Sequence, residues 1–334
     1  MNASEVRGFN YSGSWGTSGL DLWLYHDHGK MAVEVGRGKA YFPKWNVARW
    51  WLSHEAYIRA PDRFLANFDA GLAIFAHYNI QVMPVLFNRW RDPSCDFGGV
   101  SLEHIIPGMN YLGVGEDSFD PETPVEKPVA GIEGIMRRYL GDLISTHRSD
   151  ERIYAWDICN EPFGAYLDKY DSPLLDGEMR WLIWCQSMCK LFGANQPLTI
   201  GNHFLPQALR LTAPICDLLS FHPYYMHGQP EANQTIFERT LDECCRVAQD
   251  AGKELLATET VWGQLIDGAH VAVMGYTLGE LKARGLGWIT HGLQHSLVAD
   301  LHLPAYGPVG SAGYMAFINP DGRLRAGHEM WNDI

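Results

Sequence analysis

Two hydrophobic periods alternate along this 334-residue chain. Short apolar runs bounded by turn residues predict buried strands at Arg7–Tyr11, Trp45–Trp50, Ile80–Leu86, Ile153–Cys159, Pro197–Gly201, Leu218–His222, Glu254–Glu259 and Leu286–His291. Between them, apolar residues recur at helical spacing. One stripe is Leu65, Phe68, Leu72 and Phe75, a second Ile132, Ile135, Tyr139 and Leu143, and a third Trp181, Leu182, Cys185, Met188 and Phe192. Strands alternating with helices imply parallel pairing, and eight such units imply closure. The expected fold is therefore α/β: one (β/α)8 TIM barrel domain over residues 1–334, with a long loop after strand 3 running from Asn88 to about Lys127. Loops of that length are usually either functional or disordered, and since this one would leave the rim of the barrel the favoured reading is a wall or lid over the site. The stretch from Tyr314, with its Asn319-Pro320-Asp321-Gly322 turn, reads as barrel closure.

Two of the apolar runs end against their own pattern. Ile153–Cys159 leads into Asn160-Glu161-Pro162, and Glu254–Thr258 leads into Glu259, with Trp262 close behind. A buried strand has no use for a terminal carboxylate unless its tip opens into a site, and the proline after Glu161 stops backbone pairing there. Other polar residues fall at equivalent strand ends: Arg49, Asn88, Asn160, His222 and Tyr224. In a parallel barrel these ends share one rim, where active sites are built. Two strand-end carboxylates far apart in sequence suit cleavage of a glycosidic bond, provided folding brings them together.

Composition narrows the classes. With 46% hydrophobic residues the chain can bury a large core, and its net charge of −13 argues against nucleic acid and against an anionic membrane surface. The N-terminal residues carry no apolar stretch of signal-peptide length, and no segment approaches a membrane span, so the expected location is cytoplasmic. Seven cysteines show neither framework spacing nor a C-x-x-C pair, and are expected to be buried, reduced thiols. Twelve tryptophans exceed what a core requires and suit a sugar-binding cleft.

With these residues in order, the chain resembles the retaining β-glycosidases of clan A, most closely glycoside hydrolase family 5. The likeness runs from about Arg7 to His295. It rests on Asn160-Glu161 and Glu259, with Asn46-Val47-Ala48-Arg49, Phe221-His222-Pro223-Tyr224 and Ala257-Thr258-Glu259 in support. The resemblance implies Glu161 as general acid/base and Glu259 as nucleophile. A retaining enzyme holds its two carboxyls about 5 Å apart. Arg49 would keep Glu259 ionised, the Tyr224 hydroxyl would orient it, and Glu161 would be the carboxyl held protonated. Asn160 would bond the sugar 2-hydroxyl, and His222 would belong to a proton network. Two positions depart from the family. Phe87-Asn88-Arg89-Trp90 stands where a histidine is common, and the tryptophan expected at the end of strand eight is replaced by either Trp288 or His291.

Each assignment has a plainer alternative. A strand-end Glu can be a salt-bridge partner, and Arg49 can pair with a barrel carboxylate. Trp15, Trp90 and Trp262 follow strands and suit either sugar stacking or packing, whereas Trp50, Trp51, Trp156, Trp181 and Trp184 belong with the core. The pairs His26/His28 and His291/His295 lack an acidic partner pattern, so no metal and no cofactor is predicted. The Asp300-Leu301-His302 loop is a weaker candidate for sugar contact. The reading is a retaining glycoside hydrolase acting on a β-linked oligosaccharide, exo-acting on a β-hexoside. The rivals are an endo-β-1,4-glucanase or β-mannanase, a non-catalytic sugar-binding barrel, and metal-dependent hydrolysis around His222 and His291.

Overall fold

The computed structural model describes residues 1–90, 100, 105, 118–122, 131–163, 172–226, 233–298 and 315–334. Its strands are β1 (Arg7–Tyr11), β2 (Val47–Trp51), β3 (Gln81–Asn88), β4 (Trp156–Asn160), β5 (Leu198–His203), β6 (Leu219–His222), β7 (Leu255–Ala257) and β8 (Gly287–Thr290). They pair in parallel in sequence order, and β8 returns to β1, giving the closed barrel expected from the alternating pattern. The outer helices among the described residues are α1 (Gly19–Leu24), α2 (His28–Tyr41), α3 (His54–Arg59), α4 (Pro61–His77), α5 (Gly131–His147), α6 (Ser172–Leu191), α7 (Pro206–Thr212), α8 (Gln234–Asp250) and α9 (Asp267–Ala283).

The boundaries moved where backbone pairing outweighed side-chain pattern. β5 runs past Gly201 to His203, because Asn202 and His203 pair with Phe221 and His222. β4 starts only at Trp156, since Ile153 makes an isolated bridge to Val82. On α4, Phe68, Leu72 and Phe75 are buried as the stripe predicts. On α5 the buried face is rotated onto Met136, Tyr139, Leu140, Leu143 and Ile144, leaving Ile132 and Ile135 at its edge.

Period-2 alternation sets what fills the barrel. At its lower end Val47, Met83, Ala155, Leu218, Leu256 and Ile289 form an apolar plug with Ala3 and Val6. Each fully buried Val, Leu or Ile there contributes about 1.5–3 kcal/mol. Two residues further along their strands, the inner face turns polar: Arg49 follows Val47, Asp157 follows Ala155, Ser220 follows Leu218 and His291 follows Ile289. The intervening residues Ala48, Trp156 and Leu219, and Trp288 just before Ile289, pack outward into the sheet–helix core. The plug thus closes the bottom, and the polar layer above it opens at the rim.

The described cysteines are all free; five are buried and Cys245 is half-buried. Cys95 and most of the segment between β3 and α5 lie outside the described residues, as do Asp300, Leu301, His302 and Tyr314. No helix among the described residues is long and apolar enough to cross a membrane.

Candidate active site

Arg49 organises the polar layer. Its side chain is fully buried and every arm of the guanidinium has an acceptor. Nε donates to Asp157 Oδ2 at 2.9 Å, Nη1 to Asn10 Oδ1 at 3.0 Å and to Glu259 Oε1 at 2.5 Å, and Nη2 to Asn160 Oδ1 at 2.8 Å. Such a charge is tolerable in a barrel core only because carboxylates surround it. Asp157 and Asn160 are three apart, yet both reach Arg49. A register irregularity between them leaves Ile158 and Cys159 on the helix side and turns Asn160 back inward, as a β-bulge does. Gly201 makes room for the cluster. A Cβ at that position would lie 2.8 Å from Arg49 Nη2, 2.9 Å from His222 Nε2 and 3.0 Å from Asp157 Oδ2.

Glu259 sits two residues past β7 and is held from two sides, by Arg49 on Oε1 and by the Tyr224 hydroxyl on Oε2 at 2.9 Å. His291 Nδ1 approaches the same Oε2 to 3.9 Å, and the Trp51 ring stands 5.5 Å from the His291 ring.

Glu161 follows β4 with a backbone φ of +49°, in the left-handed region that L-residues avoid. Its amide donates to the Gly201 carbonyl at 2.7 Å, which fixes the turn and aims the side chain across the barrel mouth. Strain of this kind costs on the order of 1–3 kcal/mol and collects at functional positions. His222 Nδ1 lies 2.7 Å from Oε1, His203 Nδ1 lies 3.4 Å from the same oxygen, and the Trp90 indole N–H donates to Oε2. Asn88 braces this side, accepting from Asn160 Nδ2 at 3.0 Å and from the Trp90 amide at 3.1 Å.

Folding brings the two carboxylates together. One oxygen of Glu161, one of Glu259 and a ring nitrogen of His222 all lie within 4.8 Å of one another. Both glutamates are buried. Burial pulls each pKa up, but the histidines at the site and, for Glu259, Arg49 outweigh it, so each carboxyl is held below the usual range. For Glu161 the opposing influences are His203 and His222, then the donors His222 and Trp90. That differs from the expectation of a protonated Glu161: the donors and imidazoles on Oε1 and Oε2 favour its anion. Burial and the two glutamates push the Tyr224 phenol well up, so it stays a donor. Asp157 is pushed up by burial despite Arg49.

Not every predicted residue reaches the site. Trp288 does not: strand alternation points it into the sheet–helix core, and the Arg7 guanidinium lies 3.7 Å from its ring centre. His291, three residues on, takes the rim position instead. Trp15 packs against Gly13 and His26, and its indole donates to the Leu22 carbonyl, so these contacts are with the segment between β1 and α2. Trp262 stands edge-on to Tyr224 at 5.4 Å, one residue removed from the carboxylates. Three participants escaped the sequence reading, Asn10, Asp157 and His203, and Trp51, expected in the core, is instead half-buried beside His291 and Arg49. Asp157 was visible as a charge inside an apolar strand, and His203 lay beyond the expected end of β5.

The cluster of Glu161, His222 and Glu259 has the compactness of a metal centre, and the carboxylate oxygens in it already have partners. Arg49 already supplies the cation to Glu259, Tyr224 takes its other oxygen, and His222 and Trp90 take those of Glu161.

No protein-family model matches the chain, and no curated protein matches its sequence. Solved structures do share its barrel. The exo-β-1,4-mannosidase Op5Man5 from Opitutaceae bacterium strain TAV5 superposes with a TM-score of 0.68 at 14% identity, over 98% of this chain and 58% of that one. The chain therefore spans little more than half the length of that protein. The GH5-4 broad specificity endoglucanase from Clostridium acetobutylicum gives a TM-score of 0.64 at 10% identity, covering 99% of both chains. The endo-1,4-β-mannanase from Rhizomucor miehei gives 0.58 at 16% identity, over 85% of this chain and 90% of that one. At these identities the likeness is one of fold, and it is the family 5 barrel that the strand-end motifs resemble.

Proposed function

We propose that this protein is a retaining glycoside hydrolase that cleaves β-glycosidic bonds, with Glu259 as nucleophile and Glu161 as general acid/base. The observation that carries the reading is the pairing of the two buried carboxylates, with oxygens within 4.8 Å, on the rim of a closed barrel. Retaining enzymes keep their carboxyls about 5–5.5 Å apart, whereas inverting enzymes leave about 6.5–9.5 Å for a water. The two environments divide the labour. Glu259 is clamped by Arg49 and Tyr224 and has no proton to give, which suits attack on the anomeric carbon. Glu161 faces imidazoles and an exposed indole, which suits proton traffic. As the glycosidic bond breaks, Glu259 forms an ester to the sugar while Glu161 protonates the departing oxygen. Water, deprotonated by Glu161, then releases the sugar. Asn160 accepts from Arg49 on Oδ1 and donates one amide hydrogen to Asn88, leaving its second hydrogen for the sugar 2-hydroxyl.

The substrate we propose is a β-linked oligosaccharide cut by exo action on a β-hexoside, a gluco, manno or galacto unit. The support for exo action is the length of chain between β3 and α5, which starts at the acid side of the site with Trp90. A panel of nitrophenyl β-glycosides tests the sugar, and product analysis on β-1,4-manno- and gluco-oligosaccharides tests the mode. A single sugar released from the first minute is expected. A ladder of intermediate lengths overturns exo action, and silence on every β-linked substrate overturns the hydrolase.

A further inference from the structure

Glu178 has no part in the double displacement, yet its carboxylate is completely buried on α6. Its ion-pair partner is Arg89, the residue that follows β3, with Nε 2.5 Å from Oε1. Its other oxygen, Oε2, is buried with no hydrogen-bond partner among the described residues. We propose that Glu178, acting through Arg89, is a positioning residue for the general acid/base: it fixes the segment that carries Trp90 onto Glu161. This rests on the glycosidase reading and deepens it.

Strand alternation brings the pair together. Phe87 points outward, its ring 5.3 Å from that of Trp181 on α6. Asn88 points inward to Asn160, Arg89 outward to Glu178, and Trp90 back to Glu161. Two steps along a strand rise about 6.6 Å, and the three residues from Trp181 back to Glu178 rise about 4.5 Å along a helix. The outward residues Phe87 and Arg89 therefore meet Trp181 and Glu178 nearly in step, one pair above the other.

Arg89 also ties this helix to the rim. Its amide donates to the Asn160 carbonyl at 3.1 Å, directly before Glu161, and Nη1 donates to the Val100 carbonyl. The Val100 amide returns to the Asn88 carbonyl at 2.7 Å. On either side of Arg89 stand the two residues that brace the acid. Asn88 Oδ1 accepts from the Trp90 amide, and the Trp90 indole donates to Glu161 Oε2. Trp90 is 50% exposed, so its own burial holds the ring only in part, and its anchor lies one residue back.

Stability alone does not call for this arrangement. Desolvation offsets most of the attraction in a buried ion pair, and apolar residues of similar volume are often as stable or more so. The unpartnered Oε2 adds to the cost. What a charged pair supplies beyond packing is direction. The contact sets where the chain leaves β3, and through Trp90 it sets how Glu161 presents Oε2 to the glycosidic oxygen. A misplacement of about 1 Å at such a point can cost about a hundredfold in rate.

The test compares leaving groups in Glu178→Gln and in the double variant Arg89→Met/Glu178→Leu, which replaces the charges by apolar side chains and strands neither. The kcat/KM of each is measured with a 2,4-dinitrophenyl β-glycoside, whose aglycone departs without acid help, and with the matching methyl glycoside, which needs it. The ratio of the two values is read, because partial loss of folded protein scales both alike. In both variants the ratio is expected to shift about ten- to a hundredfold against the methyl glycoside. Equal losses on both substrates, or no loss on either, make the pair a packing device only and overturn the proposal, leaving the hydrolase reading intact. A wild type inactive on both overturns the two together.

Discussion

Glu259 and Glu161 face opposite demands, and substitution separates them. Glu259→Gln keeps the volume but removes the proposed nucleophile, so turnover of every β-glycoside should fall about 10⁴-fold or more. Glu161→Ala should cost about 10²–10⁴-fold on poor leaving groups and far less on dinitrophenyl glycosides. Steady-state rates on a leaving-group series check both, and a uniform loss in Glu161→Ala would contradict its proposed role as acid. Arg49→Ala strips the partner from Asp157 and Glu259 at once. Leaving buried charges uncompensated costs about 3–5 kcal/mol, measurable as a lowered denaturation midpoint. At this scale the sequence was legible wherever a polar residue broke an apolar run at its end, as with Glu161, Glu259, Arg49 and His222. It was not legible for Asn10, which is polar in a strand with no flanking motif. Trp288 misled because a tryptophan near the right strand end looks alike from either face; only the parity of β8 sends it outward and His291 inward.

At the scale of the element, two departures from regular pairing build the site. The irregularity in β4 lets Asp157 and Asn160 share Arg49, and β5 comes close because Gly201 carries no side chain. Gly201→Ala would set a methyl group within 3.0 Å of three site atoms, two of them on fully buried Arg49 and Asp157 that cannot swing aside. The expected outcome is loss of about tenfold or more in kcat/KM with a destabilisation of about 1–3 kcal/mol. Full activity in a well-folded Gly201→Ala protein would contradict the close approach. Hydrophobic periodicity found all eight strands because burial on both faces makes parallel strands apolar throughout. It placed their ends poorly because polar rim residues such as Asn202 and His203 stay in the ladder after the apolar signal stops. The bulge leaves no trace in composition at all.

Across the whole molecule, the alternation of strand and helix determined the barrel, and the plug and polar layer followed from strand parity. The closing C-terminal segment was read only in outline. There His328 Nε2 meets His270 Nδ1 at 2.9 Å beneath α9, near Arg325 and Asp267. Burial, then Arg325, lowers His328 from 6.5 to about 4, and burial also lowers His270. The unfolded chain therefore binds more protons than the folded one between about pH 6.5 and about 4. Stability is fully present above that window and falls as the pH drops through it. Thermal midpoints at pH 7.5 and 4.5 should differ, and His328→Gln should narrow the gap; an unchanged gap would remove this pair from the account. The central claim concerns the rim. Incubation with a 2-deoxy-2-fluoro β-glycoside bearing a good leaving group should trap one sugar, and peptide mass spectrometry should find it as an ester on Glu259. A label on any other residue, or hydrolysis with inversion at the anomeric carbon, would contradict the double displacement on which the account stands.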